Sequence, residues 1–254
     1  MESSIRTLAA NSDLNWSVPF VYGSLAEIHL NQRDDARVLE SIRSGIISLA
    51  PNKINGKQAF RHHTEQSLKR RISKSKTDYE SESRLYRSLG DLFLLRSKTG
   101  SGTEKAETLQ KAMSLYLLSV WTAYLFQFDP HLPDHYNTEY YEEAVERMAE
   151  RILELRNESE TESFAKEWVL TLSEFWALSD AEKAPSHRDW FEGDEQTVRD
   201  RLLRELFPTK ATFYEKEERE QFEHEFRTRV ERLKTEQITQ ITDILISTFS
   251  EDAD

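Results

Sequence analysis

The chain contains no cysteine. Disulfides, thiol nucleophiles and cysteine-ligated metals are therefore excluded. Turn-formers are scarce as well, with seven glycines and six prolines among 254 residues. So few breaks imply long helices and few hairpin turns, which argues against an all-β or α/β chain. Strand-like alternation never extends beyond a few residues. The opening MESSIRTLAANSD has no apolar run followed by a cleavage site, so a secretory leader is not expected. The longest uncharged run, residues 112–128, is seventeen residues and includes Ser114, Ser119, Thr122 and Gln127. A membrane span needs about 20. The expectation is a soluble, cytoplasmic protein with no membrane contact.

What is present points to an all-α fold. Five Trp, nine Tyr and thirteen Phe supply a core, so general disorder is not expected. From Thr103 to Phe128 apolar residues surround the helix axis instead of lining one face. A helix of that kind must be covered on every side, so it reads as the central strut of a multi-helix bundle or an irregular helical-hairpin array. Val18 to about Asn31, with Ser17 as N-cap, and a second helix from Asp34-Asp35 to Leu49 form an expected αα-hairpin. Helices follow from Tyr79 to Lys98, from Asn137 to Leu155, from a Ser159 cap through Trp176, and from Val198 to Phe207. A long last helix runs from Tyr214 to Phe249. The chain reads as one domain, 1–254, with substructure at 1–50, 51–78, 79–207 and 208–254.

Tyr86, Leu89, Gly90 and Phe93, followed by Ala112 and Tyr116, resemble the two helices of a tetratricopeptide repeat. The resemblance covers residues 79–128 only. The turn is about ten residues too long for the family's 34-residue period, its closing proline is missing, and a second copy is not evident. The resemblance implies a helical scaffold that binds a partner protein and performs no catalysis.

Other features carry weaker chemistry. The formal net charge is −12, yet residues 53–76 hold eight cations against Glu65 alone, a local +7 that leaves −19 elsewhere. Lys53, Lys57, Arg61, Lys69, Arg70, Arg71, Lys74 and Lys76 are thus candidates for a contact with nucleic acid or an acidic partner. A solvated face balancing the acidic helices is the alternative. Phe60 is the block's only aromatic, so base stacking is poorly supported.

Arg219 and His224 match R-x4-H, the short motif of HEPN ribonucleases, in which Arg would hold a phosphate while His moves a proton. An ordinary helix separates the two by about 140°. His131, His135, Asp129 and Asp134 have metal-ligating chemistry, but Pro133 prevents the helical alignment of the two histidines. Gly100-Ser-Gly-Thr103 lacks the spacing and preceding strand of a phosphate loop and reads as a turn. Phe164, Trp168, Phe175 and Trp176 read as core.

The function read from sequence is a non-enzymatic adaptor or scaffold for a partner protein. The alternatives are a ribonuclease using Arg219 and His224, or a nucleic-acid-binding subunit using 53–76. No cofactor or metal is expected. A homodimer through 214–249 is the alternative to that helix packing along its own bundle.

Overall fold

The computed structural model describes residues 17–49, 76–127, 139–158, 160–176, 190–207, 243–245 and 247–249. The described chain is all-α, with no strand among those residues. Seven helices have defined bounds: α1 Ser17–Asn31, α2 Asp35–Leu49, α3 Lys76–Ser97, α4 Gly102–Gln127, α5 Glu139–Asn157, α6 Glu162–Trp176 and α7 Glu195–Leu206. The chain divides into two compact units, Met1–Ala144 with Glu236–Asp254, and Val145–Thr235. The boundary between the two falls inside α5. Most of the expected long helix at 214–249 lies outside the described residues.

In the first unit α1 and α2 form the expected hairpin. Pro19 sits in the first turn of α1, where its missing N–H is no loss. The connection turns at Arg33, whose φ of 56° is left-handed. Asp34 then caps α2, its Oδ1 accepting from the Arg37 amide at 3.2 Å. Val38, Ile42 and Ile46 are fully buried, which fits their helical spacing.

α3 packs against both helices of that hairpin and against α4. Small residues set the α3–α4 approach. A methyl group built on Gly90 would lie 3.3 Å from the Tyr116 ring. Two turns earlier, Ser83 donates to the Ser119 carbonyl at 3.0 Å and Ser119 donates to the Ser83 carbonyl at 2.8 Å. Nine successive residues of α4, from Ala112 to Val120, are buried. Its hydroxyls are satisfied within the helix pair: Ser114 donates to the Gln110 carbonyl and Thr122 to that of Leu118. Polar atoms that accept such partners can enter a core without the cost of a lost hydrogen bond. From Ala112 to Val120 the apolar stretch is therefore buried all round, as its composition requires.

In the second unit, Met148, Ile152, Trp168, Val198 and Leu202 are buried. Thr161 sits just before α6 and turns its hydroxyl back to the Leu155 carbonyl at 2.7 Å, satisfying one of the acceptors that a helix end leaves open. Asp194 caps α7 by accepting from the Thr197 amide at 2.8 Å.

Candidate functional site

The densest polar arrangement among the described residues of the first unit lies along the middle of α3, where Ser81, Glu82, Ser83, Arg87 and Ser88 are all buried. Arg87 is its centre, with a side chain only 6% exposed. Its Nη2 donates to Glu27 on α1 at 3.1 Å and meets Glu143, in the opening turns of α5, at 2.7 Å. Three helices thus converge on one guanidinium.

Arg84 reinforces the contact one turn earlier. It donates to the Ser24 hydroxyl at 3.2 Å, lies 3.9 Å from Glu27, and stacks on Phe20 at 4.6 Å from the ring centroid. Gly23 leaves the space that its stem fills: a methyl there would lie 2.9 Å from the Arg84 Cδ. Farther along α3, Arg96 donates to Asp35 of α2 at 2.9 Å. Asp91 accepts from the Tyr116 hydroxyl across the α3–α4 seam.

This cluster fastens helices. Arg84 and Arg87 are permanently charged and both face carboxylates, so the site has no excess cation to offer an anion. Burial of Arg87 is tolerated because two acids compensate it while remaining partly open to water, at 38% and 49% exposed.

A second arrangement lies in the other unit. Arg156 donates to the carbonyls of Phe191 and Gly193 at 3.0 and 3.1 Å. Arg201 donates to those of Trp190 and Glu192 at 3.2 and 3.1 Å. Two guanidiniums therefore hold four consecutive carbonyls of the turn that leads into α7. Gly193 permits its φ of 107°.

The residues singled out from sequence fare unequally. Tyr86, Leu89, Ala112 and Tyr116 are buried at the α3–α4 crossing, with Phe93 at 6% exposure. Lys76 begins α3; its side chain and Lys53, Lys57, Arg61, Lys69, Arg70, Arg71 and Lys74 lie outside the described residues. So do Arg219, His224, His131, His135, Asp129 and Asp134. Gly100 and Ser101 lie in the connecting turn, with the Gly100 amide bonded to the Arg96 carbonyl at 3.2 Å, and Gly102 and Thr103 open α4. Trp168 is core and Phe164 half-buried. Among the described residues, no group of three or more acidic or histidine side chains is placed to hold a metal. Nor is any helix there long and apolar enough to cross a membrane.

Sequence reasoning missed one signal that the packing exposes. Residues 21–30 read VYGSLAEIHL and residues 85–94 read LYRSLGDLFL, with four identities at an offset of 64. Val/Leu, Ala/Gly, Glu/Asp and Ile/Leu are close replacements at four further positions. Both stretches lie in the first helix of a hairpin. The second helices correspond as well: Val38, Ile42 and Gly45 have the same spacing as Ala112, Tyr116 and Ser119 at an offset of 74. The ten added residues extend α3 by two, the loop by one and the start of α4 by seven.

No family model matches the chain, and no curated protein or solved structure matches it either.

Proposed function

We propose that this chain is a non-enzymatic helical adaptor, built on tetratricopeptide-like hairpins, that binds a partner protein. The observation carrying the reading is that α3 seats on both helices of the preceding hairpin while repeating the pattern of α1. A methyl on Gly45 of α2 would lie 2.6 and 2.9 Å from the two Leu85 methyls, so that glycine is the gap into which α3 fits. Hairpins that stack one on the next make extended scaffolds with large surfaces, the form suited to holding another chain. The charge cluster on α3 supports the same reading, because its residues tie helices together and their charges are already balanced.

The test is capture from native lysate by the full chain at near-native abundance, read as mass by light scattering. A discrete complex heavier than the 29.8 kDa chain, with one partner near stoichiometric, is expected. A chain that always elutes alone, or that degrades added RNA, contradicts the adaptor reading.

A further inference from the structure

Val21 and Ile28 stand on α1 where Leu85 and Leu92 stand on α3. Residues seven apart share one helix face. On α3 that face is closed, with Leu85 and Leu92 both 0% exposed. On α1 it is open: Val21 is half-buried, and Ile28 is 45% exposed. Ile28 is one of only three large apolar side chains that are exposed among the described residues. The contrast extends beyond this pair. Tyr22, Leu25 and Leu30 are half-buried where Tyr86, Leu89 and Leu94 are buried. Matched apolar positions that differ so consistently in burial mark a neighbour that α3 has and that α1 lacks among the described residues.

The α3 copy specifies that neighbour. It is a helical hairpin offering a glycine on each helix, Gly23 receiving Arg84 and Gly45 receiving Leu85. We propose that the Val21–Ile28 face of α1 docks a helical hairpin of another protein, seated as α1–α2 seats α3, with glycine or alanine opposite Val21. The face continues, one hairpin farther on, the same stacking interface. A second copy of this chain cannot fill the place in that manner, because its own Leu85 already occupies the Gly45 gap.

The inference takes its biological meaning from the adaptor reading, but stacking can be measured separately. Residues 17–75 are duplicated ahead of Met1 of the full chain, supplying an α1–α2 hairpin whose Gly45 gap is open. A rise in thermal midpoint of about 3 °C or more is expected. Ile28→Glu in the original α1 should abolish the rise, while shifting the unduplicated chain by less than about 1 °C. No rise, or a rise that survives Ile28→Glu, overturns the proposal. So does sedimentation showing that the unduplicated chain dimerises and that Ile28→Glu makes it monomeric, since the face would then belong to a second copy. Either failure leaves partner capture by the full chain an independent question.

Discussion

Arg87 shows how much one side chain can carry in this fold. Its guanidinium is buried, but Glu27 and Glu143 keep access to water. Truncation to alanine therefore creates a cavity and removes two ties between helices, while leaving no acid stranded in the core. Arg87→Ala should cost about 2 kcal/mol in urea unfolding. Arg87→Met, which fills the space without charge, should recover more than half of that. Equal losses for both variants would mean that the charge, and not the packing, dominates. Asp194 provides a pH-dependent counterpart. The Thr197 hydroxyl, and then its amide, hold the Asp194 carboxyl below its usual range. These bonds favour the charged form, so the native pKa lies below the unfolded one. The stabilisation is complete above the unfolded value and disappears as pH falls through the native value. Protection of the α7 amides, corrected for the intrinsic exchange rate at each pH, should therefore fall on acidification below about pH 4. Asp194→Asn should flatten that dependence, because an amide oxygen caps without titrating. An unchanged pH profile in the Asn variant would remove the cap from the explanation.

At the scale of the element, α4 was the most legible part of the chain. Its uncharged run and all-round apolar residues demand burial whatever the neighbours are, and Leu118 is 1% exposed. Leu118→Lys should abolish the cooperative melt of the first unit, since no described partner stands ready for a buried ammonium. A near-normal melt would mean that the helix is not the core. Gly90 was legible for a similar reason: a glycine within a strong helical pattern needs a cause, and the Tyr116 ring supplies it. The matching pattern on α1 was not legible. Ala26 replaces Gly90 and His29 replaces Phe93, so a search for Leu-Gly followed by an aromatic passes over it. Alanine serves as well as glycine where the crossing leaves room for one methyl; it is 0% exposed here. The ten additional residues of the second hairpin further hide the correspondence, because they lengthen helices more than the loop between them.

At the scale of the molecule, the all-helical class followed from scarce turn-formers, while the polar cluster did not follow from anything local. Arg87 meets Glu27 sixty residues away, and in a chain so rich in charge nothing near either residue marks the pairing. α3 seats on the first hairpin through Leu85 and the gap at Gly45, and the proposed adaptor depends on that seat. A double-mutant cycle by urea unfolding tests it most directly. Gly45→Ala gains about 1 kcal/mol of helix propensity, but crowding Leu85 should outweigh that gain and leave a net loss of about 1–2 kcal/mol. With Leu85→Ala already in place, the same Gly45→Ala change should cost nothing or stabilise, a coupling of at least about 1 kcal/mol. Strictly additive effects would contradict the stacking, and with it the hairpin array on which the adaptor reading rests.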